Sequence, residues 1–314
     1  MIRKLKNKLY QQMGQENSHT NNTIELATIQ TGLQELKVLQ GKQLAIQNQL
    51  RKETILSNLN EAEFKVFSQW GDDGIIQFLV DYLDIENKVF VEFGVENYLE
   101  SNTRFLLLNN CWKGLVMDGS IDNINQIKKS NLYWQYQLDA ICCFITKENI
   151  NQEIANYIEN ENLGLLVIDL DGNDYWIWEA IEHVKPTIVI VEYNSLFGNQ
   201  KQVTIPYKPD FRRSSVHYSN LYYGASLAAL NNLANKKDYA LVACNTNGNN
   251  AFFVRRDKMK KLKELQVEQA YKQASFRESR DTDFKLTYLN FNDACQTLKD
   301  LPVFNLLTGI TEPL

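Results

Sequence analysis

An open α/β sheet covered by helices on both faces is the fold class this sequence predicts, and three observations predict it. Short apolar runs recur through the middle of the chain, at Val89–Phe93, Gly114–Met117, Tyr133–Leu138, Leu163–Ile168 and Thr187–Val191. Segments with helical spacing of apolar residues separate them, the pattern of parallel strands joined by crossover helices. Each run closes on an acid, in order Glu92, Asp118, Asp139, Asp169 and Glu192. The carboxyl ends of such strands share one rim, so acids far apart in sequence converge on a single ligand-binding edge.

Composition narrows the partners. A chain of 314 residues with 44% hydrophobic side chains can bury a large core in one or two domains. Its net charge of −5 offers no basic footprint, which sets nucleic acid aside as a partner. The five cysteines lack CxxC spacing and neighbouring histidines, so they read as reduced thiols of a cytoplasmic protein. No run reaches the ~18 apolar residues of a membrane span, and no secretory apolar region is present.

Taken in order, residues 1–22 hold a basic helix and a polar linker. Arg3, Lys4, Lys6 and Lys8 lie between Ile2, Leu5 and Leu9, so residues 1–14 suit either peripheral contact with an anionic membrane face or a solvated helical end. Residues 23–60 carry Leu26, Ile29, Leu33, Leu36, Leu39, Ile46 and Leu50 at helical spacing, interrupted by Gln40, Gln43 and Gln47. This long helical or coiled-coil arm is expected either to build a homo-oligomer or to dock on its own domain. The globular domain spans 61–257, and 258–314 is expected to be a helical extension. Within the domain, 195–221 lacks periodicity but is rich in aromatics, as a lid or substrate-binding insertion would be. Tyr239–Cys244 and Ala251–Val254 flank a turn and form an antiparallel hairpin at the sheet edge.

The chemistry gathers at the strand ends. Glu92-Phe93-Gly94 ends the first strand in a glycine turn that opens into helix, where bare backbone and free N–H groups meet a ligand. Any one of the acids, taken singly, also suits a helix N-cap. Asp169, Asp171, Asp174, Glu192 and Asn194 offer hard oxygen atoms at two adjacent strand ends, suited to Mg²⁺ or a similar divalent cation. The same Asp171-Gly172-Asn173-Asp174 run equally suits a turn and helix cap.

These pieces together resemble the class I S-adenosylmethionine-dependent methyltransferases, and within them the FkbM-like branch associated with polysaccharide and natural-product pathways. The matching residues are Ser68-Gln69 through Gly74, Val91–Val95 with Ser101-Asn102-Thr103, Asp118, Asp139-Ala140, Ile168–Trp176, Val191–Asn194 and Asn250–Phe253. They run in the family's order from Phe64 to Arg256. The first glycine turn departs from the family's glycine-rich pattern, since only Gly94 remains of it. The resemblance implies a Rossmann-like, doubly wound sheet of seven strands, the last antiparallel, preceded by the long N-terminal helix.

It also implies roles. Glu92 and Gly94, with Ser101 and Asn102, would approach the methionine and ribose part of S-adenosylmethionine. Asp118 and Gly119 would hold the ribose, Asp139 and Ala140 the adenine, and Gln69 and Asp73 would close over the cofactor, with Asp169 nearby. Asp169, Glu192 and Asn194 would hold a divalent metal if one assists. Asp171 and the lid's His217 are the candidate catalytic groups. The implied reaction is O-methylation of a sugar or glycan-precursor hydroxyl. Two other readings stand beside it: an NAD-dependent oxidoreductase, which shares the sheet but expects a GxGxxG that is missing, and a non-catalytic scaffold assembled through the N-terminal helix.

Overall fold

Residues 28–159, 161–276 and 278–314 are described in a computed structural model of the chain. The basic helix and linker expected over 1–22, with the membrane contact expected of 1–14, lie outside them.

Residues 28–50 are helical (α1). A Cβ on Gly41 would stand 2.6 Å from Val66 and 2.8 Å from Phe105, so the absent side chain lets the helix seat on its own domain. Ala45 and Asn48 are buried on the same side, and Asn48 Nδ2 donates to the Ala62 carbonyl at 2.9 Å. Ile29, Leu33, Leu36, Leu39, Ile46 and Leu50 are each more than half exposed. That outward row is what the homo-oligomer expected through 23–60 would cover. Among the described residues no helix is long and apolar enough to cross a membrane.

After α2 (Lys52–Ser57), α3 (Asp72–Tyr82) leads into the alternating region. There β1 (Val89–Phe93), α4 (Arg104–Asn110), β2 (Lys113–Asp118), α5 (Ile121–Lys129), α6 (Asn131–Gln135) and β3 (Leu138–Cys142) follow one another. Then come α7 (Ile150–Ala155), β4 (Leu165–Ile168), α8 (Asp174–Ala180) and β5 (Ile188–Glu192). An insertion holding β6 (Val203–Thr204) and α9 (Arg213–Val216) precedes α10 (Leu227–Lys236), β7 (Tyr239–Cys244) and β8 (Asn250–Arg255). The chain ends in α11 (Val267–Ala270), α12 (Phe291–Leu298), β9 (Pro302–Asn305) and β10 (Ile310–Pro313).

The main sheet has seven strands in the order β3-β2-β1-β4-β5-β8-β7. All neighbours pair in parallel except β8, which is antiparallel to both β5 and β7. This is the Rossmann-like α/β sheet the sequence implies. Alternate residues of each strand enter opposite apolar layers: Phe90, Val116, Val167 and Ile190 lie in one, Val91, Leu115, Leu166 and Val189 in the other. Burial on both faces accounts for uninterrupted apolar strands such as Leu165–Ile168. The strand order reverses between β1 and β4, and a ligand crevice belongs at that switch point, beyond the carboxyl ends.

Two segments differ from expectation. The run Tyr133–Leu138 is not a strand: Asn131–Gln135 is helical, and β3 begins where that strand was expected to end. Ser130, in extended conformation, starts the helix, so aromatic residues that suit a strand pack instead on a short turn of helix. The C-terminal segment is not simply helical either. Strand β9 pairs with β10 and with β6 of the insertion, joining Thr204 to Phe304 in a second sheet. Trp176 of α8 binds that layer, donating to the Ile205 carbonyl at 2.9 Å and meeting Phe304 edge-on at 5.3 Å. The insertion is thereby an ordered wall over the β4 and β5 ends.

Candidate functional site

A cleft of about 950 Å³ opens over the carboxyl ends of β1, β2, β4 and β5. Its floor is the switch point. Gly94 follows β1 with φ +71°, and a Cβ there would stand 1.7 Å from the Asp169 carbonyl oxygen. Glycine is therefore required for the β1 and β4 ends to approach so closely, and it leaves bare backbone facing the cleft.

Glu92 is buried, and its carboxylate is filled from within the protein. It accepts from Ser101 Oγ at 2.6 Å, from the Asn102 and Thr103 backbone N–H groups at 2.9 and 3.1 Å, and from Thr103 Oγ1. Glu92, Ser101 and Asn102, all expected at the cofactor, line the cleft, and through these bonds they also fasten the loop between β1 and α4 to the sheet. The loop is held from behind as well, because the buried Arg104 donates to the Tyr98 carbonyl and to Gln34 of α1.

Asp118 ends β2 on the cleft wall, 9% exposed. Its Oδ2 accepts from the Glu96 N–H at 2.9 Å, and its Oδ1 from the Ser120 N–H at 2.8 Å and Asn123 Nδ2 at 3.1 Å. Gly119 is exposed beside it, with Phe144, 40% exposed, next to it, and Ile121, 57% exposed, lines the same cleft. The Arg212 guanidinium covers the Phe144 ring at 5.2 Å.

Asp139 and Ala140 are not there. Strand β3 runs on to Cys142, and Asp139 is in register with Leu115, three residues short of the Asp118 rim. The residues that reach the cleft from β3 are Cys143, Phe144 and Ile145. The adenine expectation for Asp139 and Ala140 is corrected accordingly: placing β3 too early put the acid at the wrong end of its strand.

Upstream, Gln69 reaches the cleft but Asp73 does not. Asp73 Oδ2 accepts from the Val66, Phe67 and Ser68 N–H groups and from Ser68 Oγ, all at 2.7–2.8 Å, so it shapes the turn that carries Gln69. Asp72 beside it is buried and takes a hydrogen bond from Asn245 Nδ2 at 3.0 Å. Burial, with the neighbouring Asp73 charge, pushes its pKa up to about 7. The sign follows: a carboxyl raised on folding stabilises fully below its unfolded pKa near 4, and that contribution is lost as pH rises through 7. Thermal denaturation at pH 5 and pH 8 should show D72N less destabilised by the rise than the parent, by on the order of 3 kcal/mol. Equal pH slopes would refute this.

The β4 and β5 ends form the acidic half of the cleft. Ile168 pairs with Val191, so Asp169 and Glu192 continue adjacent strands side by side. Burial first, then neighbouring carboxylates, hold both well above the usual range, with Arg213 opposing. Asp171, exposed at φ +52°, binds Arg213 Nη1 at 2.5 Å. Asp174 faces inward, accepting from the Leu170 and Gly172 N–H groups at 2.7 and 3.0 Å as a turn acid, and burial raises it to about 6.

Two groups of expected residues are not assembled. Asn194 donates to the Leu221 and Tyr223 carbonyls at 2.9 and 3.0 Å and accepts from the Leu196 N–H at 3.0 Å, which leaves its amide committed to the fold. Among the described residues no cluster of three or more His, Cys, Asp or Glu side chains is placed to hold a metal ion. The expected trio of Asp169, Glu192 and Asn194 does not fit one. His217 does not line the cleft; its Nδ1 meets Ser219 Oγ at 2.7 Å and its ring lies 4.3 Å from Tyr218. Asp171 does line it, engaged with Arg213.

The cleft also includes residues not expected there. Ile121 and Phe144 follow strand ends directly and become visible once β3 is placed correctly. Asn173 stands between the β4 end and α8, whereas Phe211, Asn220 and Glu278 arrive through the insertion wall and the C-terminal segment, whose long-range pairing leaves no local signal.

No protein-family model matches the chain, and no curated protein does. Solved structures similar to it include the O-methyltransferase from Bacillus cereus in complex with SAH, at 14% identity over 56% of this chain and 77% of that one, TM-score 0.37. A S-adenosylmethionine-dependent methyltransferase from Clostridium acetobutylicum is similar at 13% identity over 65% and 97%, TM-score 0.36. The N-terminal domain of EvdMO1, in the presence of SAH and D-fucose, is similar at 10% identity over 65% and 94%, TM-score 0.36. At this level of likeness, the function has to be read from the residues.

Proposed function

We propose that the chain is an S-adenosylmethionine-dependent O-methyltransferase of the FkbM-like kind, acting on a hydroxyl of a sugar or glycan precursor. The observation that carries this reading is the arrangement around the switch point: a bare glycine turn at Gly94, an acid at the end of β2, and an exposed apolar pair beyond it, all in one cleft. Asp118 uses three of its roughly four acceptor positions within the protein, which leaves room for a ribose hydroxyl. Phe144 beside Gly119, and Ile121 in the same cleft, offer apolar surface to a flat base. The open backbone at Gly94 suits the methionine part. Acids outnumber bases around the cleft, which favours a cationic ligand.

When bound, the sulfonium would supply an already activated methyl group. The protein's tasks are then to bind the donor, align the acceptor hydroxyl and receive its proton. The acceptor belongs over the β4 and β5 ends, where Asp169, Asp171, Asn173, Glu192, Arg213 and Glu278 form a wall suited to a hydroxyl-rich molecule. With the Asn194 amide committed to backbone groups, Asp169 and Glu192 are left without the third oxygen of the expected metal set. Titration calorimetry decides between cofactors: S-adenosylhomocysteine should bind one site per chain while NAD gives no heat. Binding of NAD alone would favour the oxidoreductase, and binding of neither would favour the scaffold.

A further inference from the structure

Two buried oxygen atoms at the acceptor end of the cleft have no hydrogen-bond partner among the described residues: Glu192 Oε2 and Asn173 Oδ1. Their residues are 7% and 5% exposed. A buried acceptor left unmet is destabilising, so a pair of them in one cleft marks a place where donors are to be received. The Asn173 amide is oriented by its own Nδ2, which donates to the Lys208 carbonyl at 2.8 Å, so the oxygen is the end left over. Glu192 is held in register beside the β4 end, and Asn173 stands at the start of α8, immediately beyond that same end.

Resting on the methyl-transfer reading above, we propose that Glu192 and Asn173 form the acceptor grip. Glu192 Oε2 receives the hydroxyl that is methylated and takes its proton, and Asn173 Oδ1 receives a second hydroxyl of the same molecule. The step balances. As the acceptor oxygen bonds to the methyl carbon, the carbon–sulfur bond breaks with its electron pair on sulfur, and the hydroxyl proton passes to the Glu192 carboxylate. Asn173 Oδ1 and, in the ionised form that takes the proton, Glu192 Oε2 only accept, so they select an acceptor presenting two O–H donors and disfavour one with a single hydroxyl.

The test uses the full chain saturated with S-adenosylhomocysteine. Its probes are the methyl glycosides of glucose, galactose, mannose, rhamnose and fucose, with cyclohexanol as the single-hydroxyl control, read by saturation-transfer NMR. At least one glycoside should bind the parent at least tenfold more tightly than cyclohexanol. That preference should fall about tenfold in N173A and in E192Q, while affinity for S-adenosylhomocysteine stays within threefold. With S-adenosylmethionine and the tightest glycoside, E192Q should lose at least ~100-fold in kcat with E192D recovering part of it, and N173A should raise KM with kcat little changed. If N173A does not fold, the isosteric E192Q and the one-methylene-shorter E192D still decide. The proposal is overturned if S-adenosylhomocysteine binds but no glycoside is preferred over cyclohexanol, if the tightest glycoside is not methylated, or if the variants match the parent. Failure of S-adenosylhomocysteine itself to bind would instead remove the methyltransferase reading.

Discussion

Replacing Gly94 by alanine should abolish measurable S-adenosylhomocysteine binding and lower stability by several kcal/mol. Two effects add. The backbone sits at φ +71°, where a side chain brings a cost of about 1–2 kcal/mol. The new Cβ would also lie 1.7 Å from the Asp169 carbonyl oxygen, a backbone atom at the end of a buried strand that has no rotamer by which to retreat. Nor can the glycine turn withdraw, because its N–H donates to the Met117 carbonyl at 3.0 Å. Separating β1 from β4 at their carboxyl ends is the remaining response, and it deforms the floor on which the donor would lie. Such a change belongs with the large destabilisations, about 4 kcal/mol or more, or a fall in Tm of roughly 8–16 °C for a chain of this size. Thermal denaturation and calorimetry on the purified variant check both halves. Parent-like Tm and affinity would mean that the β1 turn is not the close approach described.

Why this turn could be read in the sequence, and other parts of the site could not, comes down to distance along the chain. Val89–Gly94 carries its own signals: β-branched residues, an acid, then a glycine, all within one strand and its exit. The apolar run Leu165–Ile168 is equally self-contained, because both its faces are buried. Placement of β3 depended instead on choosing between two neighbouring stretches. Tyr133, Trp134 and Tyr136 favour a strand by propensity, yet Asn131–Gln135 forms a short helix in contact with α5, and Leu138–Cys142 takes the edge of the sheet. One error of that kind moved Asp139 from the amino-terminal half of its strand to the rim and hid Phe144.

The roles of buried acids were harder still, since a carboxylate at a strand end looks the same whether it meets ligand or backbone. Glu92 accepts four hydrogen bonds across both its oxygens, and Asp73 accepts four on Oδ2 with its other oxygen unpartnered away from the cleft, while the unpartnered oxygen of Glu192 belongs to a residue that lines it. Only the fold separates them. Pairing of β6 with β9, across some hundred residues, is the extreme case, and with it came the wall that brings Phe211 and Arg213 to the cleft.

Asp118 and Asp139 therefore make a decisive pair of substitutions. Asp118→Ala removes a carboxylate that faces the cleft and also holds the Glu96 and Ser120 N–H groups, which line the same wall. A hydrogen bond to a charged group contributes about 1.5–3 kcal/mol, so losing the proposed ribose contact, together with the order of both loops, should weaken S-adenosylhomocysteine by at least ~100-fold. Asp139→Ala removes a half-buried acid set three residues back along β3, in register with Leu115 and away from the cleft lining. It should leave that affinity within about threefold, the range expected of a substitution remote from the ligand. The two acids end up on neighbouring strands of one sheet, differ little in chemistry, and were both expected at the cofactor from sequence. What separates them is register alone, so titration of the two variants side by side tests the geometry rather than the presence of acid. Loss of affinity in Asp139→Ala comparable to that in Asp118→Ala would place the adenine at Asp139 after all, and would require β3 to end three residues earlier than it does here.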